Sequence, residues 1–103
     1  MNQRFGFRLV WGENSIGIAI DEIFLTTPSL ITNYYYWPQT DAWEQIRLDL
    51  ETKIWIPKEE QRKILNTITE ILNSWKKNTN PKELYLNENL SYDVVDVSNY
   101  TQV

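Results

Sequence analysis

Between Phe5 and Trp11 the apolar residues occupy the odd positions, Phe5, Phe7, Leu9 and Trp11, with Arg4, Gly6 and Arg8 set between them. A period of two is that of a strand with one buried face. Gly12-Glu13-Asn14-Ser15 supplies turn residues. From Ile16 the even positions Ile16, Ile18, Ile20 and Phe24 resume the alternation against Gly17, Ala19 and Asp21. The two segments predict an antiparallel hairpin with one apolar face, and that face needs a cover. Thr26-Thr27-Pro28-Ser29 reads as a breaker. An extended aromatic run, Tyr34-Tyr35-Tyr36-Trp37, follows and closes at Pro38, whose ring keeps Trp37 out of helical geometry.

The period then changes. Asp41 and Glu44 have capping-box spacing, and Trp43, Ile46 and Leu50 recur at three and four residues, which predicts a short helix with Lys53 at its basic end. The strongest periodic signal comes next: Ile64, Leu65, Ile68, Ile71, Leu72 and Trp75 form one stripe on a helix that starts after Pro57 and ends near Lys76-Lys77. Pro57 suits the first turn, but Ile56 is a poor N-cap, so water or a distant side chain is expected to serve the free amides. Together these elements predict an α+β fold, an antiparallel β-hairpin covered by two α-helices.

Beyond Asn78 the pattern weakens. Asn78-Thr79-Asn80-Pro81 ends the helix, and Leu84, Tyr85 and the segment 90–97 alternate only loosely. Residues 1–78 carry nine basic and ten acidic side chains, the remainder one and four. The expected organisation is a single α+β domain over 1–78, followed by an irregular acidic C-terminal extension, 79–103, loosely ordered or docked on a neighbour.

Composition narrows the chemistry. The 103 residues support one modest core. Five Trp and six Tyr give that core large rings, which also suit interfaces. Cysteine and histidine are both absent, which removes thiol nucleophiles, thiolate metal sites, the commonest general base and the commonest zinc ligand. The acidic pairs Asp21-Glu22 and Glu59-Glu60, and Asp49 with Glu51, sit in no catalytic or metal motif. Glu59 stands four residues before Lys63, the spacing of a surface pair on a helix. No enzyme activity, cofactor, metal or small-molecule substrate is expected, and no apolar run approaches the roughly 18–20 residues of a membrane span. The N-terminus passes into a strand pattern with no transit-type leader, so synthesis in the working compartment is the expectation.

Binding is the remaining class. A formal net charge of −4 argues against an electrostatic clamp on nucleic acid as a whole. Locally, however, Lys58, Arg62, Asn66, Thr69, Asn73 and Lys77 follow one another at three or four residues on the second helix, opposite its apolar stripe, with only Glu70 among them. Such a stripe can follow a phosphate backbone. The plainer reading of the same residues is a solvated face on which Lys76 and Lys77 complement the helix dipole. Arg4 and Arg8 share the hairpin face opposite the aromatic one and can either grip phosphate or pair with Asp21 across strands. Tyr34, Tyr35 and Tyr36 lack interleaved cations, which favours core or protein-interface packing over base stacking. Leu90, Tyr92 and Val94 are alternate-position anchors for a strand added to a neighbouring protein.

One ordered set of segments is specific: Leu9-Val10-Trp11, Ile16-Gly17-Ile18-Ala19-Ile20-Asp21, Tyr34-Tyr35-Tyr36-Trp37-Pro38, Asp41-Ala42-Trp43-Glu44, Leu50-Glu51, Lys53 and Trp55-Ile56. Over about Phe5 to Trp75 the chain resembles the plastid-specific ribosomal protein 3 family, departing from its pattern at Tyr36, where Phe is usual, and at Pro57, where a small polar cap is usual. The resemblance implies a small α+β protein of the small ribosomal subunit in chloroplasts, with cyanobacterial relatives and no catalytic residues. Its expected partners are small-subunit rRNA and neighbouring ribosomal proteins, its location the plastid stroma or a cyanobacterial cytoplasm. The rival expectation is a soluble protein-protein adaptor working through the tyrosine cluster or the acidic tail.

Overall fold

A computed structural model describes residues 4–88 and 90–95. Strand β1 (Arg4–Trp11) pairs antiparallel with β2 (Ile16–Phe24), placing Phe7 opposite Ile20, Leu9 opposite Ile18 and Trp11 opposite Ile16. These residues share one face because side chains alternate along a strand. Helices α1 (Ala42–Glu51) and α2 (Lys58–Lys76) cover it. Phe5, Phe7, Leu9, Ile16, Ile18 and Ile20 from the sheet and Ile46, Leu50, Ile64, Ile68 and Ile71 from the helices form a single buried cluster. Burying one such side chain is worth about 1.5–3 kcal/mol. The α+β reading, a hairpin under two helices, therefore holds.

Three further strands complete a mixed sheet. Thr27–Leu30 is strand β3, antiparallel to the end of β2, where the pattern predicts only a breaker. Leu25 turns the chain at φ 59°, so Phe24 faces Thr27 across a two-residue loop. Pro28 is tolerated because β3 is an edge strand, where a missing N–H costs no ladder bond. Tyr35–Trp37 is strand β4, which pairs with the start of β2 along the same edge. Between β3 and β4 the ladder is bridged by a side chain: the Ile20 amide donates to Thr32 Oγ1 at 3.0 Å. The Trp37–Pro38 peptide bond is cis.

The two helix starts differ. Asp41 Oδ1 accepts from the Glu44 amide at 3.1 Å, the expected cap of α1. On α2, Pro57 itself is the N-cap and makes no side-chain capping bond, one residue later than the pattern implies. The side chain found there, Gln61, donates from Nε2 to the Ile56 carbonyl at 3.1 Å and so binds the loop rather than the free amides. Helix α2 ends with Asn78 at φ 60°; the amides of Asn78 and Thr79 return to the carbonyls of Trp75 and Ser74, a Schellman ending.

After Asn78, where the pattern predicts an irregular tail, the chain folds back on the domain. Pro81–Glu83 forms a short 3-10 turn, Leu86 is buried, and Asn87 donates from both its backbone amide and its side chain to the Glu70 carboxylate. Ser91–Val95 is strand β5, parallel to β1, with Tyr92 beside Phe7 and Val94 beside Leu9. Sheet order is β3-β2-β1-β5, with β4 also on β2. Residues 96–103 of the expected tail lie outside the described residues.

Candidate nucleic-acid interface

The polar stripe of α2 is exposed along its whole length. Lys58, Arg62, Asn66, Thr69, Asn73, Lys76 and Lys77 all face solvent, while Ile64, Thr67, Ile68, Ile71 and Leu72 face the core. At 1.5 Å per residue the stripe spans about 28 Å. Its acids are mostly occupied within the protein. Glu59 pairs with Arg62 at 2.9 Å and Glu60 lies 3.8 Å from Lys63, where the sequence spacing had favoured Glu59 with Lys63. Glu70 binds Asn87. Among the described residues no ion pair engages Lys58, Lys76 or Lys77.

Arg4 and Arg8 are not part of this surface. They lie on the opposite side of the sheet from the helices, and of their two readings the cross-strand pair is realised: Arg8 Nε donates to Asp21 Oδ2 at 2.8 Å. That bond pushes the Arg8 pKa up against the cost of partial burial, and Tyr34 adds to it. Asp21 is almost fully buried, and its Oδ1 has no hydrogen-bond partner. Arg4 is exposed and free of ion pairs among the described residues.

The tyrosines divide by register. Tyr35 points to the helix side, where its hydroxyl donates to Asp49 Oδ2 at 3.0 Å; burial, then this carboxylate, push its pKa up. Tyr34 and Tyr36 stack on each other, centroids 6.4 Å apart, and Tyr36 lies over Gly17. A Cβ at Gly17 would meet the Tyr36 ring at 2.5 Å, so any larger residue there must displace the ring. Tyr92 and Val94 are half-buried on the protein's own sheet, Leu90 is half-buried just before it, and the Tyr92 hydroxyl accepts from the Leu84 amide at 3.1 Å. The added strand is thus formed within the chain.

Sequence reasoning missed a cleft at the C-terminal end of the stripe. Trp37, Asp41, Trp43, Thr69, Leu72, Asn73 and Lys76 line a cavity of about 290 Å³ between β4, the start of α1 and the last turns of α2. The Trp43 indole is fixed by a 3.0 Å bond from Nε1 to the Leu65 carbonyl, and Lys76 Nζ lies 5.1 Å from the Trp37 ring centroid. Period alone places Trp43 on the inner face of its helix, and Trp37 falls in the extended aromatic run. Also unforeseen are projecting apolar side chains: Ile54 and Trp55 in the loop before α2, and Phe24 and Leu25 at the β2–β3 turn, with Ile54 93% exposed. Among the described residues, no cluster of three or more metal-ligating side chains exists and no helix is long and apolar enough to cross a membrane.

Comparison with known proteins adds a family. A model described as plastid and cyanobacterial ribosomal protein (PSRP-3 / Ycf65) matches residues 31–78, the span that holds β4, both helices and every residue lining the cleft. The chain is 46% identical over 72 residues to the small ribosomal subunit protein cS23 of Gracilaria tenuistipitata var. liui, covering 70% of this chain and 73% of that one. It is 40% identical over 72 residues to the probable small ribosomal subunit protein cS23 of Synechococcus sp. (strain JA-3-3Ab), with the same coverage. The protein of that name in Hordeum vulgare is 41% identical over 69 residues, 66% of this chain and 38% of the barley protein.

Proposed function

This chain belongs to the plastid and cyanobacterial ribosomal protein family, and we infer from that membership that it is a structural, non-catalytic constituent of the small ribosomal subunit of a plastid or cyanobacterial ribosome. The observation that carries the reading is the 46% identity over most of both chains to the red algal small-subunit protein. Function in such a component is shape and placement: a rigid body presents fixed contacts, and contacts that are weak one by one add through effective concentration in the assembled particle.

Ribosomal RNA and neighbouring proteins meet different surfaces on this reading. The phosphate backbone follows the outer face of α2, from Lys58 through Arg62 and Asn66 to Asn73, Lys76 and Lys77. Its support is the set of three lysines without acidic partners among the described residues and the diversion of Glu70 to Asn87, which leave the face locally basic in an acidic protein. Arg4 adds a separate phosphate contact across the sheet. Protein neighbours pack on Tyr34 and Tyr36 and on the projecting Ile54-Trp55 loop, where exposed aromatic residues suit interfaces.

A tagged copy expressed in its own source should co-sediment with small subunits. Recovery only as free protein would overturn the reading. Washing the sedimented subunits at rising ionic strength then sorts the contacts, because phosphate contacts weaken with salt and apolar docking does not.

A further inference from the structure

The cleft at the end of α2 has the chemistry of a receptor for one nucleotide. Two indoles form its walls, and every nucleobase offers a flat face for stacking on such rings. At about 290 Å³ it lies at the low end of small-ligand sites, which suits a single base and not a length of peptide. Its rim is polar. Asn73 offers both donor and acceptor, so it can meet any base edge, and the Asp41 carboxylate accepts from a base N–H.

Charge sets the orientation. Among the described residues Lys76 is the one cation lining the cleft and Asp41 the one anion, so a phosphate is drawn to the Lys76 side and repelled from the Asp41 side. Lys76 continues the basic face of α2, and its side chain is long enough to leave the Trp37 ring for a phosphate as a base enters. Little ordering is needed on binding, because Trp43 is already pinned to Leu65 and Trp37 is held in β4 opposite Ile16.

We propose that this cleft holds a single unstacked nucleotide of ribosomal RNA, splayed from a loop or bulge, with its base against Trp37 and Trp43, its edge on Asp41 and Asn73, and its phosphate on Lys76. The proposal rests on the reading of the chain as a small-subunit component. It adds a defined pocket to a surface otherwise described as a phosphate track.

The test uses the intact particle. Small subunits carrying the tagged chain are irradiated, digested with protease and nuclease, and searched by mass spectrometry for peptides bearing a nucleotide. In parallel, tagged Lys76→Gln is co-expressed with the untagged natural chain, and its share of the small-subunit peak is compared with that of a tagged natural chain. Lys58→Gln, at the far end of the helix, is the matched control. The expected result is a cross-linked nucleotide within 37–47 or 69–77 and about a five- to tenfold fall in the share of Lys76→Gln, on the order of one lost charge-assisted contact to phosphate, with Lys58→Gln falling less. Cross-links that map only elsewhere on the particle-bound protein, or a Lys76→Gln share equal to that of Lys58→Gln, would overturn the nucleotide pocket and leave the ribosomal reading standing. Absence of the natural chain from small subunits would overturn the ribosomal reading itself.

Discussion

The two faces of α2 are made of the same nineteen residues and do opposite work. Its inner face, with Ile64, Thr67, Ile68 and Ile71 fully buried, fills the space over the β1–β2 hairpin. Its outer face, with Lys58, Arg62, Asn66, Thr69, Asn73 and Lys76, is exposed. Stability therefore sits on one side of the helix and the proposed recognition on the other, and the cleft lies where they meet, lined by Leu72 from the buried side and by Thr69, Asn73 and Lys76 from the exposed one. A small structural protein can change its partners on the outer face without disturbing its core.

Substitution on the inner face should have the largest effect. Ile68→Ala leaves a cavity in a fully buried site and is expected to cost about 2–5 kcal/mol, read from urea unfolding. A loss below about 1 kcal/mol would mean that the helix is not seated as described.

The seam between β4 and α1 should come next. Tyr35→Phe removes the bond to Asp49 and is expected to cost about 1.5 kcal/mol at neutral pH, the low end for a hydrogen bond to a charged group. Its pH dependence has a definite sign. The folded-state pKa of Tyr35 is raised above the ordinary 10, so its contribution is complete below pH 10 and is lost as pH rises through the folded value. The stability gap between the natural chain and Tyr35→Phe should therefore shrink in alkali; a gap that widens there would refute the assignment.

Thr67→Val sharpens the comparison within the inner face. The Thr67 hydroxyl donates to the Lys63 carbonyl at 2.8 Å inside its own helix, a carbonyl that the helix ladder already serves. A loss of about 1 kcal/mol or less is expected in thermal unfolding.

The outer face should give the smallest stability changes. Asn66→Ala and Lys77→Gln are each expected to lie within about 0.5 kcal/mol of the natural chain. Both should nonetheless release more readily from small subunits as salt is raised, measured by quantifying the protein left on washed particles. Unchanged retention of both would remove α2's outer face from the interface.

Much of this was legible along the chain because the signals are local. Period two fixed β1 and β2, the Asp41–Glu44 spacing fixed the start of α1, and the stripe from Ile64 to Trp75 fixed α2. The family could be read from short segments in a fixed order. What was missed has a common cause. Strand β3 carries no apolar alternation and contains Pro28, so only its position on the sheet edge explains it. Strand β5 pairs Gly6 with Ser91, a contact between distant parts of the sequence that weak alternation at 90–95 does not announce. The cleft draws Trp37, Trp43 and Lys76 from three elements, and no spacing links them.

The sequence by itself determined which residues face inward on each long element, because a helix or a strand repeats its geometry every few residues and the pattern shows on the page. It also determined the lack of cysteine and histidine chemistry and the family. Only the tertiary structure decided which polar groups remain free. Pairing Arg8 with Asp21, turning Glu70 to Asn87 and bringing two indoles beside Lys76 depend on distances between segments, and those distances are set by the packing of the whole core.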